Sequence, residues 1–136
     1  TAVKVLSDYL ARRGDDAEAR VELAILRAPD APEESLKLLD VLALAGALAG
    51  RAAYARGLAL FELDRSAEAR AAFDLAVSYD PLVGDYRYHR AVAAEGENAN
   101  EAMALWEAFL TWAKKTGDNP ERVQAVITRL RERYGR

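Results

Sequence analysis

The single histidine, His89, lies in the run Tyr86-Arg87-Tyr88-His89-Arg90 and is the first residue to test for chemistry. A lone imidazole, with no cysteine and no second histidine, cannot assemble an ordinary zinc site. As a general base it would need a nucleophile beside it, and nothing in the spacing of Ser7, Ser35, Ser66 or Ser78 brings one there. The absence of cysteine excludes disulfides, zinc-thiolate centres and thiolate nucleophiles. No glycine-rich phosphate loop is present. The acidic pairs Asp15-Asp16 and Glu33-Glu34 fall where helices should begin, and complementing the helix dipole accounts for them. Residues 114–136 hold seven Lys/Arg against three Asp/Glu, most of the arginines in the last turns of a helix, where positive charge is favoured. The expectation is therefore no catalytic, cofactor or metal site, and not an enzyme.

Composition then says what could hold such side chains in place. Of the 136 residues 51% are apolar and 30% charged. That is enough for one continuous core and a wetted surface. A net charge of −3 offers no general attraction to nucleic acid or anionic lipid. The most apolar run, Val41 to Gly50, is well short of the roughly 20 residues needed to span a bilayer. The sequence opens on Thr1, which reads as a trimmed or partial chain, and no signal peptide is visible.

Alanine and leucine, the strong helix formers, dominate. The patterns Asp15-x-x-Glu18, Asp30-x-x-Glu33, Asn98-x-x-Glu101 and Asp118-x-x-Glu121 read as capping boxes, with Pro32 and Pro120 suited to a first turn. Ser66 reads as a further N-cap, and Gly14, Gly84 and Gly117 fall where helices should stop. These signals predict eight helices over about 2–13, 17–28, 33–48, 51–63, 66–79, 85–96, 99–115 and 119–134.

The helices repeat. Tyr54-Ala55-Arg56-Gly57-Leu58-Ala59 returns as Tyr88-His89-Arg90-Ala91-Val92-Ala93. The interval is about 34 residues, a length suited to one pair of helices with its turns. Small residues Ala24, Gly57 and Ala91 keep step in alternate helices, as do Ser35, Ala69 and Ala102 in the others. Leu39, Phe73 and Trp106 follow the second set by four positions, and Leu42, Ala76 and Phe109 follow by seven. Residues at these intervals share a helical face, so each small residue admits a neighbouring helix and each large one fills the space between pairs. A two-helix unit of this kind must stack on another to bury its faces.

With Gly57, Leu60, Ala69, Phe73, Ala76, Asp80 and Pro81 in place, residues 50–83 resemble the tetratricopeptide repeat (TPR) family. Residues 84–117 and 17–50 follow the pattern more distantly, residues 2–13 resemble the second helix of an upstream unit, and 118–136 reads as a capping helix. The resemblance implies a single all-α domain over 1–136, a right-handed superhelical stack of antiparallel helix pairs. It further implies a concave face lined by first helices. Carrying the register over assigns Val21, Ile25, Tyr54, Leu58, Phe61, Tyr88 and Val92 to that face, with Arg122, Val126 and Arg129 from the last helix. Members that grip a free peptide carboxylate use Lys, Arg and Asn there, whereas Tyr54 and Leu58 here suit an apolar or aromatic ligand. The implied function is a scaffold for a partner protein or peptide, without nucleic acid. The alternative is a segment of a longer solenoid, or a homo-oligomer, with the same face buried by self-association. The Ala102-x-x-x-Trp106-Glu107 unit and the terminal Val123-x-x-x-Ile127-x-x-Leu130 stripe loosely resemble those of bacterial envelope-assembly factors, which leaves cytoplasm and bacterial periplasm both open.

Overall fold

The computed structural model describes residues 1–40 and 46–135. Over them it forms eight α-helices and no strand: α1 (Ala2–Arg12), α2 (Ala17–Arg27), α3 (Pro32–Leu39), α4 (Gly46–Glu62), α5 (Ser66–Tyr79), α6 (Gly84–Glu95), α7 (Ala99–Thr116) and α8 (Pro120–Tyr134). Leu42 and the start of the apolar run from Val41 lie outside the described residues. Among those described, no helix is long and apolar enough to cross a membrane.

The starts and stops are set locally, often one residue from where the sequence suggests. Asn98 caps α7 as expected, its Oδ1 accepting from the Glu101 amide at 3.1 Å. In α2 the capping acid is Asp16, not Asp15, and it accepts from the Ala19 amide at 3.0 Å. In α8 the cap is Asn119, which frees Asp118 to pair with Arg122. Ser66 is the first residue of α5 and makes no cap bond. Gly117 ends α7 in the left-handed conformation with positive φ, where a side chain would be strained. Gly84 opens α6 rather than closing a helix.

Gly50 is a correction with a packing reason. The helices expected over 33–48 and 51–63 leave it between them, yet α4 runs through it from Gly46. A Cβ there would stand 3.2 Å from the Cβ of Tyr79 and 3.7 Å from the Tyr86 ring. The glycine marks a close approach of α5 and α6 to α4, not the end of a helix.

Each helix packs on its neighbours in sequence. In addition α2 meets α4 and α4 meets α6, and no other pair of described helices is in backbone contact. The periodic residues form the interior. Ala24, Ala91, Ser35, Ala69, Ala102, Phe73, Trp106, Ala76 and Phe109 are all at most 2% exposed, and Leu39 is 4% exposed. The hydroxyl of Ser35, the one buried polar residue of the described core, donates to the Ala24 carbonyl at 2.6 Å and so ties α3 to α2. The largest cluster joins Ala91 of α6, Trp106, Phe109 and Ala113 of α7, and Val126 and Leu130 of α8. At the other end α1 buries no residue, and Val5 remains 67% exposed.

Candidate functional site

The ten residues assigned to the inner face have different surroundings. Val21 and Val126 are buried, Val21 among Ala24, Leu39 and Ala55 and Val126 among Trp106, Phe109 and Leu130. Neither is open to a partner. Ile25, Leu58 and Val92 are half-buried at matching places in α2, α4 and α6, each edging a different core cluster. Phe61, one turn beyond Leu58, is the most open of the ten at 38%.

Tyr54 and Tyr88 occupy an aromatic seam between the first helices. The Tyr54 ring lies 5.0 Å from Tyr86, 5.3 Å from His89 and 5.9 Å from Phe73. Tyr88 meets Trp106 edge-on at 5.1 Å, Phe109 at 6.1 Å and His89 at 5.4 Å. Ring pairs at these separations add about 0.5–1.5 kcal/mol beyond buried area. Burial raises the phenol pKa of Tyr54, so its hydroxyl stays protonated at all ordinary pH.

His89 is the polar centre of the seam. Its Nδ1 lies 2.9 Å from the Asp85 carbonyl oxygen and 3.3 Å from the Tyr54 hydroxyl. A carbonyl only accepts, so Nδ1 carries the proton and Nε2 the lone pair. Burial lowers the imidazole pKa below its ordinary 6.5. The unfolded chain therefore takes up a proton first as pH falls through 6.5, and stability drops from there towards the folded pKa. The lowered carboxylates Glu95 and Asp118 lose their contribution only below their own unfolded values of 4.5 and 3.8. Melting temperature should fall between about pH 7.5 and 5.5, and His89→Phe should flatten that part of the profile. An equal slope in the variant would assign the effect to another group.

Arg122 and Arg129 of α8 reach back to α6. Arg122 pairs with Asp118 at 2.8 Å and with Asp85. Its guanidinium stands over the rings of Tyr88 and Phe109 at 5.8 and 5.7 Å, close enough for the ring faces to attract the cation. Arg129 lies over Trp106 at 5.4 Å and pairs with Glu95.

Glu95 is a residue that sequence reading missed. Its side chain is only 6% exposed. It accepts from Trp106 Nε1 at 3.0 Å, Arg129 Nε at 2.9 Å and the Tyr134 hydroxyl at 3.0 Å. Burial alone would raise its pKa, and those donors outweigh burial and hold it below the ordinary range. The signal was present, since Glu95 and Arg129 stand one repeat apart in the sequence. Glu95→Gln should cost about 1–3 kcal/mol by leaving buried donors short of a charged acceptor. Amide exchange should rise first in α8. Uniform exchange along the chain would show that Glu95 does not hold that helix.

Two surface hollows lie away from these residues. One of about 340 Å³ sits among Ser7, Arg20, Leu23, Arg27, Glu34, Lys37 and Leu38, and another of about 440 Å³ runs past Leu36, Arg56, Ala72 and Leu75. Among the described residues no group of His, Asp or Glu side chains is gathered as a metal site would require. Comparison with family models, with curated proteins and with solved structures finds no match to this chain.

Proposed function

We propose that the chain is a TPR-like α-solenoid, a right-handed superhelical stack of helix pairs closed by α8, which holds a peptide or helix of a partner protein along its first helices. The observation that carries this is the apolar stripe of Ile25, Leu58 and Val92, recurring once per repeat, half-buried at matching places in α2, α4 and α6 and extended by the exposed Phe61. First helices touch in series through their backbones, α2 on α4 and α4 on α6, while the backbones of α3, α5 and α7 do not meet one another. That asymmetry suits a stack whose first helices face inward. An apolar stripe on such a face would take apolar anchors from an extended or helical partner. The buried Val21 and Val126 support this face from behind, and Tyr54 and Tyr88 stiffen it.

A second reading rests on α1. With no buried residue, and with Val5 and Tyr9 exposed, α1 offers a face on which a further helix of a longer solenoid, or a second copy, could stack.

A photo-crosslinking residue at position 61 separates these readings. It should capture a second polypeptide in the producing cells, while the same residue at Leu82, 73% exposed and off the stripe, should not. Capture of another copy of the chain from position 61 would favour self-association. Equal capture from both positions would defeat the stripe.

A further inference from the structure

On the opposite side of α6 from Tyr88 and Val92 lies a second, chemically different surface. At about 100° per residue, Arg87 and Arg90 leave α6 away from Tyr88 and Val92, Arg90 towards Asp74 of α5 and Arg87 towards Trp112 of α7. The Arg87 guanidinium stands 5.0 Å above the Trp112 ring of α7, and its Nε donates to the Pro81 carbonyl at 2.8 Å. No carboxylate among the described residues offsets the burial of Arg87. Arg90 has a side chain only 20% exposed, and its paired carboxylate oxygen, on Asp74, is 3.8 Å away. Asp74 is shared with Arg70, which also holds Glu101 at 2.8 Å. Three guanidiniums thus face two half-exposed carboxylates, one of which is committed to Arg70.

The cluster is short of acceptors in a second way. Among the described residues, two buried side-chain nitrogens lack a hydrogen-bond partner, Arg90 Nε and Trp112 Nε1, and both belong to this cluster. Buried donors are ordinarily satisfied, so their coincidence in one place is informative. Both are sealed from solvent, and a ligand would meet the outer nitrogens of Arg87 and Arg90 instead. Burial disfavours the charged form of both arginines, and Arg70 and Arg87 add repulsion at Arg90. Partly desolvated cations without a matching anion are costly, and an incoming carboxylate relieves that cost. In a chain of net charge −3, this local surplus is not a by-product of a basic protein.

We propose that the arginine cluster of Arg87 and Arg90, facing α5 and α7, binds a side-chain carboxylate of an acidic partner peptide. The planar forks suit a two-oxygen acceptor, and the Trp112 ring backs one of them. This surface is independent of the apolar stripe and would stand if the stripe failed.

Trp112 supplies the readout. The intact chain is titrated with a Gly-Glu-Gly-Glu-Gly-Glu peptide blocked at both ends, and with its glutamine counterpart. The acidic peptide should change tryptophan emission saturably and the glutamine peptide should not. Trp112→Phe should remove the optical change while calorimetry still detects binding. Arg87→Gln with Arg90→Gln should weaken binding about tenfold or more, the loss of one charge-assisted contact. Glu101→Gln, which removes the competing carboxylate of Arg70, should tighten it. Arg87→Lys with Arg90→Lys keeps the charge and loses the forks, and should weaken binding several-fold even if the double glutamine variant does not fold. Unchanged affinity in the lysine variant overturns the proposal. So does equal binding of the glutamine peptide. Inorganic phosphate giving the same titration at the same concentration overturns the acidic peptide as occupant and leaves a free-anion site.

Discussion

Trp106→Ala is expected to lower the free energy of unfolding by about 3–5 kcal/mol, the usual range for deleting a buried aromatic. The indole is 0% exposed, at the centre of the cluster that joins α6, α7 and α8. Its loss removes the edge-on contacts with Tyr88 and Phe109 and leaves a cavity that the rigid walls cannot fill. It also takes one donor from the buried carboxylate of Glu95 and the ring beneath Arg129. A folded domain has about 5–15 kcal/mol of total stability, so the variant should still fold at low temperature and melt much earlier. The loss should show in a urea midpoint shift at constant slope. A change below about 1 kcal/mol would place Trp106 outside the core that organises the C-terminal helices.

Phe73→Ala is expected to cost about 3–5 kcal/mol as well, and here the structure supplies a sharper test. Phe73 is 1% exposed and lies directly against Gly57. A Cβ on Gly57 would fall 2.5, 2.7 and 2.8 Å from three atoms of the Phe73 ring. Gly57→Ala in the parent chain should therefore destabilise, since overpacking costs about 1–3 kcal/mol and outweighs the gain of about 0.5–1 kcal/mol from replacing a helical glycine. In the Phe73→Ala background the clash is gone, and the same substitution should become neutral or stabilising. The double-mutant cycle should show a coupling of at least about 1 kcal/mol. Additive effects would mean that the glycine is not there to admit the ring.

The pairing of Gly57 with Phe73 shows why much of this fold was legible. Small residues at one-repeat intervals, followed by large ones four positions on, express a steric requirement that recurs in each helix pair. Buried Ala69, Ala102, Phe73, Trp106 and Phe109 are that requirement met. Local signals were less exact because neighbouring residues compete for one role. Asp15 and Asp16 can each cap α2, and Asp118 and Asn119 can each cap α8. The choice falls to whichever side chain is not drawn elsewhere, as Asp118 is drawn to Arg122.

The sequence by itself determined the helical class, the eight helices among the described residues and the repeat's buried small and large residues there, because these follow from propensity, caps and the helical period acting locally. Tertiary structure alone decided the rest. Gly50 is a contact within α4 and not a break, because a glycine in a helical pattern has the same letter whether it ends a helix or admits a neighbour. Val21 and Val126 went inside while Leu58 and Phe61 remained partly open, because the tilt of one helix on the next sets how far each apolar stripe is covered. Phe61, Glu95 and Arg129 hold equivalent places one repeat apart. One is an open ring and the other two form a largely buried ion pair. Equivalent positions came to differ because a side chain's environment is made by residues a whole repeat away, and their approach is fixed only when the helices pack.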